Sequence, residues 1–365
     1  MKRIEINIPG KKYPVFLGKN TFTNLLKIIK QEKLNENIFL VVDNKVFEFY
    51  RKTIFRFFNS LTKKKHCLVI DVSEKNKSYK TLNEIYSALI DNHFGRDTLI
   101  VSIGGGITGD IAGFAAATFT RGVQYINIPT TLLSMVDSSV GGKTGINFGN
   151  TKNIIGSFYQ PKFVLIDTAF LKTLPKDEIV CGLGEIVKYG FLIDDDYLNY
   201  VKNNLTKIKK LESRLLEETI ETCVNFKAGV VKKDEFEESG LRKILNLGHT
   251  FAHAIEVEQK HKIKHGQAVI AGLSCALHLS NKLNLLSDKK LEKYLSLIIM
   301  FIDDIKIEKY NTSKLYEIMR RDKKNKVDKI KFVLLSNAGN NLIDLEASKE
   351  DVFYALNNGL QYFVK

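Results

Sequence analysis

Two periodicities alternate over the first 175 residues, and that alternation limits the architecture more than any other feature. Apolar runs of strand length occur at 38–42, 67–72, 99–103, 125–128 and 163–166. Between them, apolar residues recur at helical spacing over 22–29, 46–58 and 82–94. Strands separated by helices pair in parallel, so the pattern predicts a layered α/β domain. All five prolines lie in this part, Pro9, Pro14, Pro129 and Pro161 at expected strand or loop edges and Pro175 at its end. From Lys176 onward the pattern is helical, over 178–191, 211–233, 245–258 and 268–285, with Leu211, Leu215, Leu216, Ile220 and Cys223 marking one face. One late strand is expected at 330–335, before the turn signal Asn337-Ala338-Gly339-Asn340-Asn341. The expectation is a two-domain α/β protein: a Rossmann-like parallel domain at 1–175 and a mainly α-helical domain at 176–365.

Composition narrows the partners. Of 365 residues 44% are apolar, enough for a substantial core, and 55 basic against 41 acidic side chains leave a net charge of +14. Surfaces dedicated to nucleic acid concentrate arginine forks in a stripe. Here the basic residues are nearly all lysines spread along the chain, and the densest runs, Lys63-Lys64-Lys65 and Lys323-Lys324-Asn325-Lys326, carry no interleaved aromatics. No nucleic-acid partner is expected. Cys67, Cys181, Cys223 and Cys275 lie far apart without a Cys-x-x-Cys, which argues against a disulfide framework or thiolate zinc site and fits a reducing compartment. The first five residues alternate like a strand, without a secretory core, and the longest strongly apolar stretch, 295–302, falls short of the ~20 residues of a membrane span. The chain reads as cytoplasmic, with no membrane partner.

Three blocks carry chemistry. The strand at 99–103 runs into Gly104-Gly105-Gly106-Ile107-Thr108-Gly109-Asp110 and then a helix of small residues. Such a turn lets the backbone approach a phosphate at a helix N-terminus, although a tight turn with close packing explains the glycines too, and the spacing is not G-x-G-x-x-G. The second block, Pro129-Thr130-Thr131 through Asp137-Ser138-Ser139-Val140-Gly141-Gly142-Lys143-Thr144, suits a loop around polar ligand groups. It is no P-loop, because aspartate stands where the first glycine belongs. Lys143 and Lys152-Asn153 are candidate anion ligands or plain solvated residues. Third, Glu185-Ile186-Val187-Lys188 precedes a group of four histidines: His249 and His253 share a helix face, and His261 and His265 follow. Two of these with a distant glutamate could form a His/His/Glu zinc site with an open position, Glu256 and His261 being rival ligands.

Taken together, GGGITGDIAGFAA (104–116), IPTTLLSMVDSSVGGKTGIN (128–147), KNIIGSFYQP (152–161), GEIVKYG (184–190), ESGLRKILNLGHTFAHAIE (238–256) and HGQAV (265–269) resemble the 3-dehydroquinate synthase family of the sugar-phosphate cyclases. The resemblance covers nearly the whole chain. It implies an NAD cofactor and one divalent metal, zinc or cobalt, held by Glu185, His249 and His265. NAD would lie along Gly106, Ile107, Thr108, Gly109 and Asp110, with Asp43, Glu74 and Lys77 toward its adenosine end and Thr130, Thr131, Lys143, Lys152, Phe170, Leu171, Lys172 and Thr173 along the rest. Lys143, Lys188, Lys227, Arg242, Asn246 and His253 would be catalytic, with Glu238 as a polar partner chosen over Glu237 by its spacing to Arg242. Lys152, Asn153 and Lys323 or Lys324 would complete the substrate site. The family's substrate, 3-deoxy-D-arabino-heptulosonate 7-phosphate, is a small anionic molecule converted to 3-dehydroquinate and phosphate by transient oxidation, β-elimination, re-reduction and intramolecular aldol closure. Another sugar-phosphate cyclase or a glycerol-phosphate-type dehydrogenase is the alternative, and a homodimer is the family's assembly. The sequence departs from the family's pattern at Ser73, before Glu74, and at Phe148-Gly149-Asn150-Thr151.

Overall fold

The computed structural model describes residues 1–149, 151–321 and 330–364. They form two compact units, one of residues 1–174 with 216–236 and one of residues 175–215 with 237–365.

In the first unit, β1 (Lys2–Ile8) and β2 (Lys11–Gly18) form an antiparallel hairpin. After α1 (Leu25–Gln31) come β3 (Asn37–Asp43), α2 (Asn44–Ser60), β4 (Lys65–Ile70), α3 (Tyr79–Asp91), β5 (Thr98–Gly104), α4 (Gly106–Thr118) and β6 (Gln124–Pro129). A second hairpin, β7 (Lys143–Phe148) and β8 (Thr151–Phe158), precedes β9 (Val164–Asp167). The main sheet has the order β1-β2-β9-β6-β5-β3-β4, parallel throughout apart from the first pair. The central strands β3 and β5 are apolar along nearly their whole length because both faces are covered, Ser102 alone interrupting the run in β5; β5 is buried at every residue. The small residues of α4 let it lie close, with Ile111, Ala112, Ala115 and Ala116 packed among Phe39, Val41, Ile100 and Tyr125.

Strand β2 was not foreseen, and Pro14 lies inside it rather than at its edge. The position tolerates proline because pairing to β9 begins only at Val15, so no ladder donor toward β9 is lost. The topology also marks a crevice. From β3 the chain proceeds outward to β4, whereas from β5 it proceeds the other way to β6. The carboxyl ends of β3 and β5, at Asp43 and Gly104, therefore flank a switch point, the usual ligand position in open α/β sheets.

In the second unit, α5 (Lys176–Ile193) and α6 (Asp195–Lys209) lead to α7 (Ser213–Lys233), whose residues from 216 on group with the first unit. Then come α8 (His249–Glu258), α9 (His265–Lys282), α10 (Asp288–Ile298), α11 (Thr312–Arg320), a hairpin of β10 (Phe332–Asn337) and β11 (Asn340–Leu345), and α12 (Lys349–Leu360). The nearly wholly buried α9 is the central helix, with α5, α8, α10 and α12 packed on it. The helix expected over 245–258 is interrupted: a short 3-10 turn ends at Asn246, and Gly248, at φ 76°, starts α8 afresh. A left-handed residue cannot continue an α-helix, and glycine adopts that conformation without steric cost.

Candidate active site

The glycine turn sits at the switch point. Gly104 ends β5, Gly105 precedes α4 without a side chain to cap it, and Gly106 opens the helix, leaving its first N–H groups and positive end available. The Thr130 N–H donates to Gly104 O at 2.9 Å, which ties the end of β6 to the turn. Thr108 is fully buried, and its Oγ1 has no hydrogen-bond partner among the described residues. Among the same residues, the hydroxyls of Thr130, Ser138 and Ser139 are buried donors without a hydrogen-bond partner, and Asn127 Oδ1 is a buried acceptor without one. Gly106, Asn127, Ser138 and Ser139 line one small cavity beside the turn, and a Cβ on Gly106 would stand 2.8 Å from Ser138 Oγ. Orphaned polar atoms are costly unless a ligand satisfies them. The donor set at this helix end fits a pyrophosphate. Asp43, at the end of β3, is occupied in part: its Oδ1 accepts from Lys45 N at 2.9 Å and starts α2.

Around the turn lies a polar network. Lys77, buried, is ion-paired to Asp110 and donates to Asn153 Oδ1. Burial raises the Asp110 carboxyl above its ordinary range, with Lys77 opposing the shift. Asn147 joins the ends of this network: its side-chain amide donates to Glu74 O at 3.0 Å and Oε1 at 2.8 Å, and its Oδ1 accepts from Asn153 N at 2.8 Å. Asn153 is held at φ 52°. Lys143 and Lys152 are exposed on β7 and β8. Lys227, buried on α7, donates to Asp137 O at 2.7 Å and lies 3.0 Å from its Oδ1. Thr131 is partly committed, with Oγ1 2.9 Å from Ser134 Oγ. Phe170 and Leu171 are buried, Phe170 against Tyr50, and only Lys172 and Thr173 of that segment are exposed.

The second unit contains the carboxylate–histidine cluster. Helices α5 and α9 meet backbone to backbone, for a Cβ on Gly184 would stand 2.2 Å from Gly266 O and one on Gly266 1.8 Å from Cys181 O. That contact sets the neighbouring residues, Glu185 and His265, side by side. Gly248 also lies against α9, where a Cβ would be 2.9 Å from Leu273 N, and delivers His249 as the first residue of α8. Glu185 Oε1 is 3.6 Å from His249 Nε2 and 3.4 Å from His265 Nε2. Ligand atoms of the three residues all lie within 4.8 Å of one another. Lys188, one turn along α5, is ion-paired to Glu185 Oε2, and both are buried. Burial pushes the His249 imidazole well below its ordinary pKa, with Lys188 acting the same way. Burial also disfavours charged His265, but its hydrogen bonds to the Glu185 and Glu256 carboxylates prevail and lift it to about 10. One carboxylate and two imidazoles converging on a largely buried position are a donor set suited to zinc or cobalt.

His253, half-buried, has its ring 5.6 Å from that of His249 and 6.2 Å from that of His265. His261 is exposed on a left-handed turn and is not part of the cluster, whereas Glu256 is buried and approaches His265 Nδ1 at 3.5 Å. Arg242 is buried with its Nε 3.5 Å from Glu237 Oε1; Glu237 and Glu238, the latter favoured by spacing, are both exposed. Asn246, half-buried, ends the 3-10 turn. Lys323 and Lys324 lie outside the described residues. The sequence points to no role for Asn147 or Asp137, and it leaves Glu237 as the rival of Glu238. Asp137 meets Lys227 across 90 positions, a separation that no spacing rule bridges.

A dinucleotide-type α/β unit and a helical unit with a carboxylate–histidine cluster that could hold a metal ion are features of the NAD- and metal-dependent sugar-phosphate cyclases. The fold matches, with a TM-score of 0.88 and 25% identity over 98% of this chain and all of the other, a structure of 2-deoxy-scyllo-inosose synthase complexed with carbaglucose-6-phosphate, NAD+ and Co2+. Family models described as 3-dehydroquinate synthase N-terminal and C-terminal match residues 67–181 and 182–325, and the chain belongs to the 3-dehydroquinate synthase family. It is 40% identical over 362 residues to 3-dehydroquinate synthase of Pelagibacter ubique, covering 96% of each chain, and 40% identical to that of Clostridium tetani, covering 98% of this chain and 95% of the other.

Proposed function

We propose that this protein is a 3-dehydroquinate synthase, a lyase that converts 3-deoxy-D-arabino-heptulosonate 7-phosphate to 3-dehydroquinate and phosphate in aromatic amino acid biosynthesis. The observation that carries the proposal is the convergence of Glu185 Oε1, His249 Nε2 and His265 Nε2 on one point. When bound, NAD supplies a reversible hydride acceptor and zinc or cobalt a Lewis acid for a substrate oxygen. Glu185, His249 and His265 would hold the metal. The α4 N-terminus, with Gly106, Ile107, Thr108, Gly109 and Asp110, would hold the pyrophosphate, and Asp43, Glu74, Lys77, Thr130, Thr131 and residues 170–173 the rest of the dinucleotide.

The substrate carries a carboxylate and a phosphate, which call for several cations. Lys143, Lys152, Lys188, Lys227 and Arg242 would supply them, with Asn153 and Asn246 as neutral donors. Three of these cations are buried and already paired, Lys188 with Glu185, Lys227 with Asp137 and Arg242 with Glu237, which holds them in place before substrate arrives. His253, beside the metal ligands, would move protons at the reacting carbinol. Glu237, rather than Glu238, is then the carboxylate that orients Arg242. The free cysteines suit a cytoplasmic enzyme, and the family's homodimer is the proposed assembly. Among the described residues no helix is long and apolar enough to cross a membrane.

The test is phosphate release from the heptulosonate phosphate, assayed with and without NAD and a metal chelator. Release that needs both groups, with no lasting NADH absorbance, is expected. Turnover of only a carboxylate-free sugar phosphate, or NADH accumulating in step with product, would replace this reading by another cyclase or by a net dehydrogenase.

A further inference from the structure

The His265 ring stands between two carboxylates. Its Nε2 is 3.4 Å from Glu185 Oε1, and its Nδ1 is 3.5 Å from Glu256 Oε2. The two nitrogens of an imidazole point away from each other, so a metal ion can take only one, and the group facing the other decides which. The neighbouring His249 shows the same arrangement with a different acceptor, its Nδ1 lying 3.1 Å from Leu247 O while Nε2 faces Glu185 Oε1 at 3.6 Å. Both rings therefore turn Nε2 to a single oxygen. Glu185 divides its own carboxylate in a matching way, Oε2 to Lys188 and Oε1 to the two histidines.

From this geometry we infer that Glu256 is a positioning residue for the metal centre: it accepts the Nδ1 proton of His265 and so keeps Nε2, rather than Nδ1, aimed at the point shared by Glu185 Oε1 and His249 Nε2. The inference rests on the metal reading above. Glu256 is suited to the task because it is buried, at 7% exposure, and lies on α8, the helix that begins with His249, so one rigid element sets both the ligand and the support of the other ligand. A carboxylate behind a ligating imidazole fixes its tautomer and orientation and strengthens its donor nitrogen. The competing arrangement has Glu256 as a ligand, together with His253 and Nδ1 of His265, whose atoms also lie within 4.8 Å of one another. It would leave His249 and Glu185, the more buried pair, facing a ring edge with no role.

Three variants separate these possibilities: E256Q, which keeps an acceptor oxygen, E256L, which does not, and E185L, which removes a proposed ligand. Each is stripped of metal, checked for an unchanged thermal midpoint, and titrated with Co2+ against a chromogenic chelator while the visible cobalt bands are recorded. E256L is expected to weaken Co2+ about 10- to 100-fold and to shift the bands, E256Q to recover most of the affinity and the native spectrum, and E185L to lose binding. Native affinity and spectrum in E256L would overturn the positioning role. Loss of metal in E256Q as complete as in E185L would make Glu256 a ligand instead. Native binding by E185L would overturn the metal reading itself. Should E256L fail to fold, the spectrum and affinity of E256Q still separate positioning from ligation.

Discussion

Gly184 and Gly266 bring α5 and α9 into direct backbone contact, and the residues that follow each of them in sequence, Glu185 and His265, meet as a consequence. Neither glycine has a positive φ; the requirement is for space, since a methyl on Gly266 would stand 1.8 Å from Cys181 O. The G266A variant must separate two buried helices. Overpacking of this kind costs about 1–3 kcal/mol and more where backbone is struck, so a loss of at least about 3 kcal/mol is expected, together with weaker metal binding. Urea midpoints and cobalt titration measure the two effects. A G266A protein with the native midpoint would show that the helices can slide apart freely.

Removal of the metal should abolish turnover without unfolding the chain, because α5, α8 and α9 are packed by their own apolar residues. Dialysis against a strong chelator, followed by Zn2+ or Co2+, is expected to eliminate and then restore phosphate release while the helical circular-dichroism signal persists. H249A and H265A should each lower the rate at least about 100-fold at fixed metal concentration, whereas H261A, on its exposed turn, should leave it unchanged. A loss in H261A as large as in H265A would count against the assigned ligand set.

The pairing of Lys77 with Asp110 is open to a double-mutant cycle. Lys77 is 4% exposed, so K77M strands a desolvated carboxylate at the head of α4. Breaking a fully buried pair costs about 3–5 kcal/mol; the partial exposure of Asp110 brings the expected loss to about 1–3 kcal/mol. D110N in the same chain removes the stranded charge and should recover part of that loss. K77M should also weaken NAD, since the carboxylate it frees lies beside the proposed pyrophosphate position. Strictly additive single and double variants would show that the two groups are not coupled.

How much of this was legible in the sequence depends on the range of the interaction. The parallel strands β3 and β5 stood out because burial on both faces makes them nearly continuous apolar runs, and the glycine turn because a strand feeds directly into a helix of small residues. Strand β2 escaped notice because Lys11, Lys12 and Pro14 broke the pattern, and its tolerance of proline depends on where pairing with β9 begins, which is tertiary information. Spacing favoured Glu238 as the partner of Arg242, but Glu237 at φ 63° turns the chain and puts its own carboxylate at Arg242. Glu256 could be weighed as a ligand from its proximity in sequence to the histidines. That it faces the opposite edge of His265 from Glu185 is a property of helix packing alone.

His278 makes the stability of the second unit sensitive to mild acid. It is buried on α9, its ring stacks on Tyr362 at 6.2 Å and meets Tyr354 edge-on, and among the described residues neither ring nitrogen has a hydrogen-bond partner. Burial lowers its pKa below 6.5. Above pH 6.5 the ring is neutral in both the folded and the unfolded chain, so it imposes no proton-linked cost. As pH falls below 6.5 the unfolded chain takes up a proton that the folded one refuses, and stability declines with a slope that approaches about 1.4 kcal/mol per pH unit until the folded-state pKa is passed. Carboxylates add their own acid dependence, so the quantity to measure is the difference between the native protein and H278F, which keeps an aromatic ring in the same packing. The gap between their urea midpoints should move in favour of H278F between pH 7.5 and pH 5. A gap that stays constant over that range would mean that His278 is protonated as readily in the folded protein as in the unfolded chain.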